Sequence, residues 1–184
     1  MRLETPRLLL RPWAPEDVEA LVDGLGDFEV ARWLARVPHP YTPEDAAGWI
    51  GYCAGLAPIS EGGRTCEWAI ELRGEGRVIG GTSLERIDLS NGTAGGGIWI
   101  DSRCVGQGYG REAFGERIRF AFEELGLRRL ENGFFAGNDA SLRMQERLGY
   151  RIEGTKRQAL RCLADSKLKD EVITGLLRED WTPR

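Results

Sequence analysis

The sequence predicts one mixed α/β domain that spans residues 1–184. Apolar residues at helical spacing alternate along the chain with short stretches rich in β-branched and aromatic residues, which indicates helices and strands in one fold. The length suits one well-packed core rather than two. Hydrophobic residues make up 41% of the chain and charged residues 29%, a composition typical of globular proteins.

The first third of the chain is predicted to contain one strand and three helices. The strand covers Arg7–Arg11 and ends at a proline. The first helix, over residues 15–25, opens with acidic side chains that favour a helix N-terminus. A short helix over Phe28–Leu34 follows. The third helix covers residues 42–56, and Thr42 is placed to cap it.

The rest of the chain is predicted as a meander followed by alternating helices and strands. The three meander strands are Cys66–Leu72, Arg77–Ile87 and Thr93–Asp101, separated by glycine-containing turns. From Tyr109 to Leu125 the apolar residues fall on one helical face, and Gly126 is placed to end that helix. The remaining elements are a strand over Arg129–Phe135, a helix over Asn138–Leu148, and closing strands over Tyr150–Leu160 and Val172–Leu177.

Composition and charge argue against several classes of protein. The net charge of −4 does not favour a nucleic-acid binder, which would carry a basic stripe. The four cysteines have no CxxC spacing and His39 is the only histidine, so no metal site is expected. No apolar run approaches the roughly 18 residues of a membrane span, and the start of the chain lacks the apolar segment of a signal peptide. We therefore expect a soluble cytoplasmic protein.

Residues 97–113 carry the clearest chemical signal. A strand enters a glycine-rich turn, and a long amphipathic helix leaves it. Unpaired N–H groups at a helix start bind anions, and glycine lets the backbone approach a phosphate closely. The pattern is GxGxG with Arg111 in place of the third glycine of a dinucleotide fingerprint, which disfavours a nucleotide-binding oxidoreductase. A phosphate or pyrophosphate site is the prediction.

The turn also resembles a family motif. Arg103-x-x-Gly106-x-Gly108 resembles the [Arg/Gln]-x-x-Gly-x-[Gly/Ala] motif of the GNAT N-acetyltransferases. That resemblance implies an α/β GNAT fold, with a mixed, mostly antiparallel sheet of about seven strands, flanked by about four helices and splayed at the cofactor cleft. Five further segments resemble the RimJ/RimL branch, which acetylates ribosomal-protein N-termini: Glu4–Arg11, Gly108–Ala113, Asn138–Ser141, Glu146–Gly154 and Asp170–Trp181.

The resemblance implies acetyl-CoA as co-substrate and direct attack of a primary amine on the thioester. The amine would belong to a protein N-terminus or to a small molecule, and the family often forms homodimers. A CoA-binding sensor or scaffold without catalysis is the alternative. The cofactor contacts implied are Ile98, Trp99, Ile100, Arg103, Cys104, Val105, Gly106, Gln107, Gly108, Tyr109, Gly110, Arg111, Asn138 and Ser141. Trp99 also suits a core aromatic, and Asn138 also suits a helix cap.

The implied general acid is Ser141, one helical turn after Asn138. Many family members use a tyrosine at the position of Gln145, which cannot donate a proton in this way. A solvent-facing helix serine is the structural alternative for Ser141.

The general base is less evident from the residues. The branch often has a glutamate at the position of Gly95, and here that carboxylate is missing. Glu85 and, after it, Glu67 are the substitutes on the predicted meander strands, and a water relay is a further alternative. His39 and Tyr41 lie in a loop that the resemblance places on the acceptor side, whereas Trp33 and Trp49 have the spacing of core residues.

Overall fold

A mixed sheet organises residues 1–182, the part of the chain that this computed structural model describes. Within that range the sheet has nine strands in the order β1-β2-β3-β4-β5-β7-β9-β8, and β6 pairs with β4 beside this path. The strands are β1 (Leu3–Glu4), β2 (Leu8–Arg11), β3 (Cys66–Leu72), β4 (Val78–Asp88), β5 (Thr93–Gly95), β6 (Ile98–Ile100), β7 (Arg129–Phe135), β8 (Arg151–Arg161) and β9 (Leu168–Leu177). The helices are α1 (Val18–Leu25), α2 (Phe28–Ala31), α3 (Pro43–Ala54), α4 (Tyr109–Arg119) and α5 (Asp139–Arg147).

The predicted mixed α/β architecture is confirmed. Residues 1–182 form nine strands rather than about seven, and five helices rather than about four. One reason is that the strand predicted over Thr93–Asp101 is broken into β5 and β6. Gly96 lies between them with a φ of +139°, and a Cβ there would lie 2.7 Å from a guanidinium nitrogen of the buried Arg117. The two-residue strand β1 was not predicted, and β9 begins at Leu168 rather than at Val172.

The break between β5 and β6 opens the sheet. β4 pairs with β6 through Gly80↔Ile100 to Thr82↔Ile98 and with β5 farther along its length. β5 pairs with β7 in parallel at Thr93↔Arg129 and Ala94↔Leu130. In the described chain β6 has no second strand partner, so its far edge is free and the sheet is splayed there.

Side chains of alternate strand residues build a core on each face of the sheet. On β3, Trp68 and Ile70 pack with α4 residues such as Phe114, whereas Ala69 packs with the cluster formed by α1 and α3. Helix α4 continues from Phe120 to Glu124 as a π-helical turn, so the predicted helix to Leu125 changes pitch before it ends. Gly126 follows with a φ of +67°.

Two local predictions are confirmed at helix starts. Thr42 caps α3, because its hydroxyl accepts the Asp45 N–H and the Asp45 carboxylate accepts the Thr42 N–H. Asn138 caps α5 by accepting the Ser141 N–H at 3.1 Å. At the other end of the sheet, β8 is an edge strand, and ten of its eleven residues are exposed.

No helix in residues 1–182 is both long and apolar enough to cross a membrane. The same residues contain no cluster of three or more histidine, cysteine or acidic side chains that could hold a metal ion.

Candidate active site

The segment between β6 and α4 is held in shape by a buried carboxylate. Asp101 is 6% exposed and accepts the Arg103 N–H at 2.9 Å and the Arg103 guanidinium at 2.6 Å. These bonds hold the pKa of Asp101 below its ordinary value, so the carboxylate stays ionised. Gly106 and Gly108 then have φ of +80° and +84°, which other residues disfavour. The turn therefore needs glycine at both positions.

The N–H groups at the start of α4 are open to a ligand. Gly108 is the N-cap residue and provides no side-chain hydrogen bond. Nowhere in residues 1–182 does a backbone carbonyl accept from the N–H groups of residues 106–111. A Cβ on Gly106 would meet no atom within 4 Å, so the space beside the loop is empty. Open N–H groups at the positive end of a helix dipole suit a pyrophosphate.

The loop residues around this opening have different roles. The N–H groups of Cys104 and Val105 are already bonded within the loop, and the Cys104 thiol is buried in the core. Among the predicted cofactor contacts, Cys104 can therefore offer little more than its backbone carbonyl. Val105 is 61% exposed and presents an apolar side chain beside the turn. Gln107 and Arg111 are exposed next to the open N–H groups.

Arg7 adds a positive charge to the loop and was not among the predicted site residues. Its guanidinium donates to the Gln107 carbonyl at 3.1 Å, lies 4.5 Å from the centre of the Tyr109 ring, and forms an ion pair with Glu112 at 2.6 Å. Arg103, the arginine of the motif, instead directs its guanidinium to Asp101 and Asp23. In the sequence, Arg7 is marked only as the first residue of the first predicted strand. Its partner in the loop, Gln107, lies about one hundred residues farther along the chain, so no local pattern indicates the contact.

The free edge of β6 meets α4 and α5 at one place. A Cβ on Gly110 of α4 would lie 3.5 Å from Ile100 Cγ1 of β6 and 3.5 Å from Met144 Sδ of α5. Gly110 of α4 thus lies between Ile100 of β6 and Met144 of α5. Trp99, on the other face of β6, stacks on Trp13 with 6.4 Å between ring centroids and packs, partly buried, against the core cluster of α1 and α3.

A chain of buried hydrogen bonds reaches Ser141. The Gln145 amide donates to Ser141 Oγ at 3.0 Å, and the Thr174 hydroxyl donates to Gln145 Oε1 at 2.6 Å. Gln145 and Thr174 are 3% and 1% exposed. Because the Gln145 amide occupies an acceptor position of the serine oxygen, the Ser141 O–H is left to donate elsewhere. Gln145 cannot be the acid, but it orients the residue predicted to be one.

A cleft of about 900 Å³ lies on the sheet face opposite α4, between the strands and the segment that carries α2 and α3. Its walls include five aromatic side chains that are not fully buried: Trp33, Trp49, Tyr52, Trp99 and Phe134. Trp33 and Trp49 were predicted to be core rather than pocket residues, and this was wrong for their exposed faces. Helical spacing identifies the inward face of a helix but not whether a cleft adjoins it.

Two residues of the loop before α3, His39 and Tyr41, were predicted on the acceptor side, and the cleft is lined by Tyr41 but not by His39. Tyr41 is buried and lines the cleft, and burial raises its pKa to about 12. His39 is exposed and does not line the cleft. Its ring packs edge-on against the Phe28 ring, with 5.3 Å between the ring centroids.

Two glutamates lie side by side in the cleft, and their surroundings differ. Glu85 accepts from Ser83 Oγ at 2.9 Å and pairs with Arg36 at 3.4 Å and Arg86 at 3.7 Å. For Glu67 the described residues provide neither an ion pair nor a side-chain hydrogen bond. Burial and the nearby Glu85 charge raise the pKa of Glu67 to about 8, and Arg36 only partly opposes them.

The position of the missing family glutamate is filled by an arginine. Arg86 has a φ of +52° where the β4–β5 register is irregular, and a Cβ on Gly95 would overlap its guanidinium. Residue 95 is therefore glycine for a steric reason, and a cation from the neighbouring strand occupies the space.

Similarity to known proteins is consistent along the chain. The acetyltransferase (GNAT) domain family matches residues 7–151. The Bacillus subtilis protein "Uncharacterized N-acetyltransferase YoaA" is 30% identical over 156 residues, which cover 85% of this chain and 86% of that protein. "Putative ribosomal N-acetyltransferase YdaF" from the same organism is 28% identical over 95% of this chain and 93% of its own length. The structure of Mycobacterium smegmatis RimJ in complex with CoA-disulfide superposes with a TM-score of 0.81 at 22% sequence identity. The match covers 97% of this chain and 87% of that chain.

Proposed function

The chain belongs to the acetyltransferase (GNAT) domain family and is an acetyltransferase enzyme, and we propose that it moves an acetyl group from acetyl-CoA to a primary amine. One observation carries the cofactor assignment. The free edge of β6 leads directly into a turn with two positive-φ glycines and an uncapped helix start. The strand edge offers backbone groups to the pantetheine arm, and the open N–H groups suit the pyrophosphate, with Arg7 beside them.

The residues around the opening supply the chemistry of transfer. A neutral amine attacks the thioester carbon, a C–N bond forms, and the C–S bond breaks as the oxyanion collapses. Ser141 donates its hydroxyl proton to the leaving thiolate and recovers a proton from the acylated nitrogen. A cleft carboxylate, with Glu85 and Glu67 as the candidates, removes the first proton from the ammonium.

Calorimetric titration with acetyl-CoA, with NADH as a control ligand, tests the cofactor assignment. We expect micromolar binding of acetyl-CoA and none of NADH. Gly108→Trp should abolish binding because the indole would fill the space beside the open N–H groups. Gly62→Trp is the matched control, since Gly62 has a φ of +87° and no atom within 4 Å of a Cβ, but lies outside the loop. Unchanged affinity in folded Gly108→Trp would remove the site from this loop.

The family assignment disfavours a CoA sensor without catalysis, and release of CoA thiol that depends on an added primary amine measures the proposed transfer. The names of the relatives include a ribosomal acetyltransferase. A protein N-terminus is therefore one acceptor to test beside small amines.

A further inference from the structure

We propose that the acceptor is a small primary amine with a flat apolar body, and that Glu67 receives its ammonium group and removes the proton. This inference rests on the proposed acetyl transfer and specifies the acceptor. It follows from three features of the cleft: its unpaired carboxyl group, its aromatic walls and the arginines at its charged side.

Four acidic residues line the cleft, and Glu67 is the one left without a partner among residues 1–182, because Asp45 accepts from Thr42 and Glu171 pairs with Lys156 at 3.5 Å. Glu67 lies directly opposite Ser83 in the β3–β4 register, so it shares a sheet face with Glu85 two residues farther along β4. Glu85 is engaged by a serine hydroxyl and two arginines, whereas Glu67 has no such partner among residues 1–182. An incoming ammonium beside Glu67 would relieve the repulsion between the two carboxyl groups, with Glu85 as the second negative charge.

The walls of the cleft favour a flat apolar body behind that ammonium. Trp33, Trp49, Tyr52 and Phe134 present incompletely buried rings to the same space. Such rings stack on aromatic groups and attract a cation over their faces. The volume of about 900 Å³ lies within the roughly 300–1,000 Å³ of small-molecule sites.

The arginines argue against a polycation. Arg36 and Arg86 both line the cleft, with side chains 86% and 64% exposed. Because Asp45 and Glu171 are already engaged by Thr42 and Lys156, a polyamine would place its additional ammonium groups against these guanidiniums. A single ammonium can instead lie on the acidic side, with the uncharged body away from both arginines.

The proton transfer depends on every charged group around Glu67. Its carboxylate takes a proton from the ammonium, leaves a neutral nitrogen for attack, and later releases the proton to solvent. The ionisation of Glu67 determines the active form, so the rate should rise with pH. The groups that face it are Glu85 on β4, Arg36 in the loop after α2, Tyr52 and Cys53 on α3, and Cys66 beside it on β3.

Steady-state kinetics with acetyl-CoA and three acceptors tests the proposal: 2-phenylethylamine, spermidine and a short peptide with N-terminal alanine. We expect kcat/KM for 2-phenylethylamine to exceed the other two by about tenfold or more, the scale of one well-matched apolar pocket. Preference for spermidine or the peptide would overturn the acceptor class while leaving acetyl transfer in place. No turnover of any acceptor would overturn both proposals.

Matched glutamine variants separate the two glutamates. Glu67→Gln should lower kcat/KM for 2-phenylethylamine by about 10²–10⁴-fold and move the rise of rate to the higher pH at which the free amine itself loses its proton. Glu85→Gln should act mainly on KM and keep the pH profile. Glu61→Gln, an exposed residue outside the cleft, should match the unmodified enzyme. A larger loss of kcat in Glu85→Gln than in Glu67→Gln would assign the base to Glu85 and overturn the assignment to Glu67.

Discussion

Ser141 stands at the end of a hydrogen-bond chain that passes through Gln145 to Thr174 on the sheet. If Ser141 protonates the thiolate, Ser141→Ala should lower kcat by about 10²–10⁴-fold while the Kd for acetyl-CoA stays nearly unchanged. Stopped-flow turnover and calorimetry on the same preparation measure both quantities. A change in kcat below about threefold would assign Ser141 to a purely structural role.

Gln145 is expected to act through Ser141. Gln145→Glu replaces the amide donor by a carboxylate, which would accept the Ser141 O–H and turn its proton away from the thiolate. We expect kcat to fall by about tenfold, because a hydroxyl bonded in this way is a poorer acid, while acetyl-CoA affinity is kept. Equal losses of kcat and cofactor affinity would instead indicate disordering of α5.

Glu67 should make stability depend on pH. Its pKa is raised to about 8 in the folded protein from an ordinary value near 4.5, so between these values the folded state binds more protons than the unfolded state. Stability linked to Glu67 is therefore fully present below about pH 4.5 and is lost as pH rises through about 8. Glu67→Gln should match the unmodified protein at pH 5 and exceed its Tm by about 2–4 °C at pH 8.5, by calorimetry. A Tm difference independent of pH would contradict this.

At the scale of elements, α4 joins the glycine loop to the break between β5 and β6. Arg117 of α4 is fully buried and donates to the Ser83 carbonyl at 2.8 Å, to Asn132 Oδ1 at 3.2 Å and to Tyr150 Oη at 3.2 Å. Burial without a carboxylate partner lowers its pKa. The guanidinium thus connects β4, β7 and the residue before β8 beneath the opened sheet.

Arg117→Met should leave these three acceptors without a donor and reduce the free energy of unfolding by about 1–3 kcal/mol. Arg119→Met, two residues later on the same helix, removes only partly exposed ion pairs and should cost less than about 1 kcal/mol. Urea denaturation of both variants provides the comparison. Equal losses would show that the buried contacts of Arg117 add no more to stability than the partly exposed ion pairs of Arg119.

Elements set by local residues were predictable, and those set by distant contacts were not. Thr42 and Asn138 were identified as caps because a cap needs only the first helical turn. The break at Gly96 lies against the Ser83 carbonyl of β4 and Arg117 of α4, and the π-helical turn after α4 carries the buried side chains of Phe120 and Phe122. Neither leaves a periodic signal in the sequence.

For the whole molecule, the mixed α/β fold and the splay followed from the order of the elements and the family resemblance. The residues predicted for the site lie mostly in one continuous segment, the glycine loop, and they remain a prediction. Two contacts join residues that are far apart in sequence: Arg7 with the loop, and Gln145 with Thr174. A third, the packing of Arg86 over Gly95, joins neighbouring strands whose register is irregular. A single sequence does not encode such pairings in its spacing.

Acetyl-CoA should stabilise the whole protein if the proposed site is correct. At a concentration of about 100 times Kd, binding to the folded state alone adds about 2.7 kcal/mol. We expect a clear rise in Tm that grows with ligand concentration and is lost in Gly108→Trp. A rise retained in that variant would place the ligand elsewhere.

The exposed edge strand β8 has a consequence for behaviour in concentrated solution. An unpaired edge offers N–H and C=O groups to any other extended chain and can seed aggregation. Arg151, Glu153, Lys156, Arg157 and Arg161 distribute charge along this strand. A second molecule that added its own β8 in antiparallel fashion would bring like charges together and would have to desolvate them. These charges therefore oppose intermolecular strand addition, and neutralising Arg157, which forms no ion pair within residues 1–182, should favour fibrous or amorphous precipitation.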